Sequence, residues 1–396
     1  MSALEPVFVL DAVRTPLGKI GGALAGIRPD DLAAGVVESL IERSPGLDPA
    51  EVDDVHFGNS NGAGEENRNV ARMAGLLAGL PTSVPGATTN RLCGSGLDAV
   101  FNASREVAVG DADVCIAGGV ESMSRAPWVM SKPEKAYERG HQQMHSTTLG
   151  WRLINDRHPA QRTIALGEGA EILADRYGIT REEQDAFTVL SHSRAAAAWD
   201  AGRFSNEVVP AWGAANLTRD ECIRANTTLE ALAQLSPVFR PGGSVTAGNS
   251  SPMNDGAAAV LLASRRGADL IGREPIARIA SRAVSGIEPQ LFGLGPVKSS
   301  HDALGRAGIG WKDLVAVELN EAFAAQALAC LREFPELDPA IVNLNGGAIA
   351  IGHPIGASGS RILTTLVHEL RRRGGGWGLA TMCIGVGQGI AMVVEA

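Results

Sequence analysis

Apolar residues along this chain recur in two rhythms. Nearly continuous apolar blocks at 7–10, 52–57, 114–117, 257–262, 276–280, 315–319, 379–384 and 389–394 predict strands, and their unbroken character predicts sheets covered on both faces. Apolar positions spaced three or four apart predict helices between them. One such pattern runs through Leu97, Val100, Ala103 and Val107, another through Ile362, Leu363, Leu366, Val367 and Leu370. Others cover 30–42, with an acidic start, and 321–334. The alternation makes this an α/β protein.

The two clearest helical patterns belong to a larger echo. Gly94-Ser95-Gly96 opens the first, Gly110 ends it, and the strand 114–117 follows, stopped by Gly118-Gly119. Ala357-Ser358-Gly359 opens the second, Arg371-Arg372-Arg373 and Gly374 end it, and the strand 379–384 follows, stopped by Gly385. Turn, helix, glycine, strand and glycine recur in one order, which predicts two pseudo-symmetric copies of one α/β unit. Residues 121–245 interrupt the repeat. They are more polar, contain several prolines and two helical stretches (165–177 and 181–201), and Thr180 with Glu183 forms a capping-box pattern. A stretch this long is an insertion rather than a loop, and is expected over the active face. The expected partition is 1–120 plus 246–271, an inserted loop domain at 121–245, and 272–396.

Composition narrows the function. A chain of 396 residues that is 45% hydrophobic supports more than one domain. A net charge of −9 without a basic run argues against nucleic acid. No apolar run reaches membrane-spanning length, and the acidic start leading into a strand is not expected to be a signal peptide. Five irregularly spaced cysteines point to a reducing, cytoplasmic setting rather than a disulfide framework, and none has zinc spacing, so no metal is expected.

Two of those cysteines stand in glycine-punctuated turns. Cys93 lies in Asn90-Arg91-Leu92-Cys93-Gly94-Ser95-Gly96, just ahead of a helix whose free N–H groups and dipole are expected to favour its thiolate. Cys383 lies in Met382-Cys383-Ile384-Gly385-Val386-Gly387. His353, between Gly352 and Pro354, is pinned as an oriented base requires. Two thiols and an imidazole suit thioester chemistry, with one cysteine as nucleophile and the other as proton carrier. Asn320, after the strand 315–319, stands where α/β active sites lie, and asparagine is equally good as a helix N-cap. Cys115, Cys222 and Cys330 read as structural, and His56 as a satisfied core residue.

With these motifs placed, the sequence resembles the thiolase family from about residue 7 to residue 394. The Cys93 turn, Asn320-Glu321-Ala322-Phe323, the His353 loop and the Cys383 turn match family motifs in order. The resemblance implies a five-layer sandwich of two α/β halves with an inserted loop domain. It implies that Cys93 is acylated, His353 activates it, Cys383 moves a proton at the acetyl α-carbon, and Asn320 holds a water at the enolate oxygen. Gly385 would share an oxyanion hole with the Cys93 N–H. Coenzyme A and acyl-CoA would be substrates, with no tightly bound cofactor. Ser251 and Ala247 would lie near the pantetheine and Arg224 near the nucleotide. Leu166 and Phe292, where methionine is usual, would line the acyl pocket. Pro252 and Leu344 also depart from the usual residues.

The implied function is acetyl-CoA C-acyltransferase. Within the family the likeness is to bacterial 3-oxoadipyl-CoA and related 3-ketoacyl-CoA thiolases, carried by 66–73, 121–127 and 148–152. The alternatives are a biosynthetic acetoacetyl-CoA thiolase and, remotely, a non-catalytic acyl-CoA or lipid carrier, which would have lost a reacting residue. A decarboxylating ketoacyl synthase would lack Cys383. A dicarboxylic acyl chain requires a cation, and Arg68, Arg72, Arg125 and Arg152 lie in the segments that carry the likeness. A homodimer or homotetramer is implied, with 131–159 as a tetramer contact.

Overall fold

Two four-strand units, each wound in the same order, share one mixed sheet in the computed structural model, which describes residues 4–214 and 216–396. In the first unit the strands appear along the chain as Val7–Arg14, Asp54–Gly58, Val114–Ser122 and Asn254–Ala263. In space they lie second, third, fourth, first. The second unit uses Ala277–Gly286, Leu314–Leu319, Trp377–Ile384 and Gln388–Glu395, again in the spatial order second, third, fourth, first. In both, second and third strands pair parallel, and the remaining pairs are antiparallel. The two first strands pair antiparallel, Val7 opposite Ile279, and join the halves. The internal echo in the sequence is this repeat.

Three cores fill the spaces between five layers. Along Val7–Arg14, Phe8, Leu10 and Val13 face an outer layer with Leu32, Val36 and Leu40 of helix Pro29–Glu42. Val7, Val9 and Ala12 face the middle of the molecule, as alternation along a strand requires, with a register shift between Val9 and Asp11. The middle layer is the helix pair Ser95–Val109 and Ser358–Arg373, the two halves of the echo. A second outer layer covers the other half through Ala303 and Leu304 of helix Gly295–Ala307 and Ala327 and Cys330 of helix Ala324–Arg332.

Between Val114–Ser122 and Asn254–Ala263 run a short ribbon, Trp128–Val129 with His145–Ser146, and helices Leu166–Tyr177 and Arg181–Asp200. Thr180 caps the longer helix by accepting the Glu183 N–H at 3.2 Å, while Glu183 accepts the Thr180 N–H at 2.7 Å. Ala170, Leu173 and Ala174 pack against Ala325 and Ala329, so the inserted segment lies on the second half. No helix among the described residues is long and apolar enough to cross a membrane.

Candidate active site

The middle helices meet at their N-terminal ends, and there the glycines are steric requirements. A Cβ on Gly96 would lie 2.8 Å from the Gly356 carbonyl oxygen, and one on Gly359 would lie 2.4 Å from the Leu97 nitrogen. Only glycine lets the two backbones approach so closely. Each helix therefore brings its preceding turn, carrying Cys93 in one case and His353 in the other, to a shared centre.

The Cys93 turn is held in an unfavourable backbone state. Leu92 has φ of 48°, and its carbonyl accepts from Ser95 Oγ at 2.6 Å and Ser60 Oγ at 2.9 Å. Asn90 Oδ1 accepts the Leu92 N–H at 2.9 Å. The Gly385 N–H lies close enough to the Cys93 sulfur to lower its pKa, so the turn after strand Trp377–Ile384 reaches the first thiol. Cys383 is 2% exposed and packs with Phe292 and Ala322, with Leu166 and Phe323 against them. Val386, next in the turn, has φ of 66°.

The expected thiolate preference of Cys93 does not hold in the free protein. Burial pushes the thiol up to about 11, although the N–H groups of Gly385 and Cys93 pull it down; the Glu121 carboxylate adds to the rise. The helix begins only at Ser95, and the loss of hydration outweighs what its end supplies. Burial also raises Cys383 well above the ordinary thiol range, and the neighbouring Cys93 adds to it. His353 is 7% exposed; burial holds it down to about 3, helped by the Arg361 charge. The resting pair is thus a neutral thiol and a neutral imidazole.

His353 is fixed from both sides. Its N–H donates to Asn254 Oδ1 at 2.9 Å, and its Nδ1 lies 2.6 Å from Ser358 Oγ. When the Ser358 hydroxyl donates to the Pro354 carbonyl, 2.9 Å away, Nδ1–H donates to Oγ and Nε2 keeps a free lone pair. Asn320 is fully buried, and neither its Nδ2 nor its Oδ1 has a partner among the described residues. It is not a helix cap, since helix Ala324–Arg332 takes Phe323 in that position. A buried amide with both ends free is poised for an outside polar group.

The other expected site residues divide. A Cβ on Gly385 would lie 3.7 Å from Leu166, and Phe292 packs edge-on to Phe323 with ring centres 6.3 Å apart, so both expected pocket residues flank Cys383. The Ser251 N–H donates to the Ala322 carbonyl at 3.0 Å, which sets its loop against the same wall. Ala247 and Arg224 are exposed; the Arg224 N–H donates to His192 Nδ1 at 3.2 Å. Of the arginines, Arg125 pairs with Glu65 at 2.7 Å, and Arg72 donates to the Thr82 carbonyl at 2.9 Å and to Val84. Arg68 is exposed with φ of 67°, and Arg152 is half-buried. A cavity of about 740 Å³ opens beside the Cys383 turn, walled by Trp151, His158, Arg162, Glu288 and Val386.

Sequence reasoning gave no role to Asn254 or Glu121 and read Cys222 as structural. Asn254 holds the His353 loop and also donates to the Cys222 sulfur at 3.3 Å, a contact that no local motif announces. Cys115 and Cys330 are buried in the cores, and His56 is 4% exposed with Nε2 2.9 Å from Glu106, as a satisfied core histidine should be.

A two-fold repeated α/β fold that joins two thiols, an imidazole and an unpaired amide at one centre defines an acyl-transfer enzyme. The comparisons agree. The family "Thiolase, N-terminal domain" matches residues 7–266, and "Thiolase, C-terminal domain" matches 273–396. The chain is 51% identical over 399 residues to a Beta-ketoadipyl-CoA thiolase of Pseudomonas putida, covering 99% of this chain and 100% of the relative. It is 51% identical to the 3-oxoadipyl-CoA/3-oxo-5,6-dehydrosuberyl-CoA thiolase of Escherichia coli K12, with the same coverage. Among solved structures it matches an acetyl-CoA acetyltransferase of Bacillus anthracis at TM-score 0.93 and 39% identity, covering both chains fully. It matches human mitochondrial 3-ketoacyl-CoA thiolase in complex with CoA at TM-score 0.92 and 40% identity, covering 100% of this chain and 99% of that one. The chain belongs to the thiolase family and is an acyltransferase of thiolase fold.

Proposed function

We propose that this enzyme cleaves 3-oxoadipyl-CoA with coenzyme A, giving acetyl-CoA and succinyl-CoA. The observations that support the chemistry are the close approach of the two central turns at Gly96 and Gly356, which follow Cys93 and His353, the influence of Cys93 on the neighbouring Cys383, and the unpaired side chain of Asn320, whose backbone N–H donates to the Thr381 carbonyl just ahead of Cys383. His353 Nε2 takes the Cys93 proton as the sulfur attacks the 3-keto carbon. The resulting oxyanion is held by the N–H groups of Cys93 and Gly385. The C2–C3 bond breaks, and the Cys383 thiol gives its proton to C2 of the departing acetyl-CoA. Asn320, through a water, and protonated His353 stabilise the enolate oxygen at that moment. The acyl group stays on Cys93 until the thiol of coenzyme A, losing its proton to the Cys383 thiolate, attacks the thioester. The shortened acyl-CoA is released, and Cys93 leaves as a thiolate that takes back the proton held by His353. High resting thiol pKa values fit this sequence, because charge appears only with substrate bound.

The choice of 3-oxoadipyl-CoA rests on relatives of that description at about half identity over the full chain. Leu166 and Phe292 form the near wall of the acyl site and Arg152 supplies the cation. Ser251 and Ala247 bind the pantetheine and Arg224 the nucleotide of coenzyme A. We assign the partition 1–120 with 246–271, 121–245, and 272–396, the second part covering the active face. Tyr137, Met144 and Leu153 are all exposed, which supports a homo-oligomer that uses 131–159 as a contact. Five free cysteines fit a cytoplasmic setting.

Mass spectrometry after incubation with 3-oxoadipyl-CoA should place a succinyl group on Cys93; label on Cys383 reverses the assignment. Cys383→Ala should still be acylated, yet should fail to exchange the α-protons of acetyl-CoA with deuterated solvent. Exchange at the wild-type rate removes Cys383 from the mechanism.

A further inference from the structure

Glu121 ends strand Val114–Ser122 and is 2% exposed. One of its oxygens, Oε2, accepts two backbone N–H groups at 2.9 Å, from Ser60 and from Gly356. The other lies 3.4 Å from Asn59 Nδ2. Ser60 belongs to the first half and Gly356 to the second, so the carboxylate bridges the repeat. Each bridge leads to a reacting group. Ser60 Oγ donates to the Leu92 carbonyl at 2.9 Å, and Asn90 Nδ2 donates to the Ser60 carbonyl at 2.9 Å, which fixes the turn on either side of Arg91 and just ahead of Cys93. Gly356 stands three residues after His353, in a turn closed by the Ala357 N–H on the Pro354 carbonyl at 2.9 Å. A Cβ on Gly356 would lie 2.6 Å from Glu121 Oε2 and 2.5 Å from the Val120 carbonyl oxygen, so this seat accepts glycine alone.

We propose that Glu121 is a positioning residue for the thiolase reaction, its carboxylate clamping the His353 loop to the Cys93 turn across the two halves. The inference rests on the roles given above to Cys93 and His353. A buried carboxylate is a costly choice for a purely structural tie, since a neutral amide or hydroxyl holds one N–H as well. Accepting two N–H groups from separate loops at a single oxygen is what the carboxylate adds. Its charge has a second effect on the same centre. The groups that act on it are the N–H donors of Ser60 and Gly356 and the carboxylate of Glu66; burial raises it to about 7, with Glu66 adding to the rise. Its ionised form opposes negative charge on the Cys93 sulfur.

Two variants of the full chain separate geometry from charge. Glu121→Gln removes the charge and weakens the double acceptor. Glu121→Asp keeps the charge and shortens the reach. Both should lower kcat for thiolysis of acetoacetyl-CoA by about 10–100-fold, as misplacement of reacting groups by a fraction of an ångström to an ångström does, with KM little changed. The two should part in the alkylation of Cys93 by iodoacetamide in the free enzyme. At pH 8 Glu121→Gln should react about threefold faster than wild type or more, whereas Glu121→Asp should keep the wild-type profile. A merely structural role would move neither the split between kcat and KM nor the alkylation profile. An unchanged kcat in either variant, or one alkylation profile for all three proteins, overturns the proposal. If Glu121→Gln does not fold, kcat of the Asp variant decides alone. Cys93→Ser run beside them tests the underlying roles: full activity there sinks those roles, whatever Glu121 does.

Discussion

At the scale of single residues, the sequence singles out candidate reacting side chains but not the surroundings in which they rest. Cys93, Cys383 and His353 were legible because each interrupts an apolar pattern on a glycine-bound turn, and Asn320 because it follows the apolar strand 315–319. Their environment was not. The pull of a helix end on Cys93 is a local signal, whereas the burial that raises its thiol comes from the middle core, with Ile384 and Ile390 supplied by a distant segment. The arginines illustrate the same limit. Four were equal candidates by position, yet Arg72 is committed to carbonyls and Arg125 to Glu65. Arg68 and Arg152 are left as candidates for the distal carboxylate; Arg152, half-buried and next in sequence to Trp151 of the cavity wall, is the one to test first. Arg152→Met should lower kcat/KM for 3-oxoadipyl-CoA by about 2–4 kcal/mol of transition-state binding and leave acetoacetyl-CoA nearly unaffected. Equal losses on both substrates would assign Arg152 to the fold instead.

At the scale of elements, the strand starts followed from periodicity to within three residues, and the order turn, helix, strand was right in both halves. The strands expected at 114–117 and 276–280 nevertheless run on to Ser122 and Gly286, and the helices Val70–Leu77 and Gly295–Ala307 were not anticipated. What periodicity could not give is which helices touch. Ser95–Val109 and Ser358–Arg373 are neighbours because Gly96 and Gly359 remove two side chains from their crossing, although the residues lie far apart in sequence. Glycines in helices are therefore not equivalent here. Gly359→Ala should destabilise by about 3 kcal/mol, the upper end of an overpacking penalty, since the Leu97 nitrogen cannot swing aside. Gly305→Ala, in helix Gly295–Ala307 with open space around it, should be neutral or should stabilise by up to about 1 kcal/mol through helix propensity. Urea titrations of both variants measure the contrast; equal effects would mean that the central crossing can relax to admit a methyl group.

At the scale of the whole molecule, the inserted segment has to be held to the repeated halves, and a buried ionic cluster contributes to that. Arg14, at the end of the first strand, is 0% exposed. Its Nε donates to Glu207 at 2.7 Å, and Nη1 and Nη2 donate to Asp220 at 2.7 and 3.1 Å. Asp220 also accepts the Leu17 N–H at 2.8 Å and the Trp199 indole N–H at 3.0 Å, so one carboxylate gathers the first strand's exit and the helix Arg181–Asp200. Glu207 accepts in addition from Thr365 Oγ1 at 3.1 Å, which brings in the middle helix of the other half. No local pattern marks Arg14 as central, because its partners lie about two hundred residues away. Arg14→Met should cost about 3–5 kcal/mol, most of it from two buried carboxylates left without their cation rather than from the loss of attraction. That origin can be separated. In the triple variant Arg14→Met, Glu207→Gln, Asp220→Asn the stranded charges are gone, while amide oxygens still accept from Thr365 and from one of Leu17 and Trp199. It should therefore recover part of the loss in a denaturation series. A triple variant no more stable than Arg14→Met alone would show instead that the guanidinium's own hydrogen bonds, not the fate of its partners, hold the inserted segment in place.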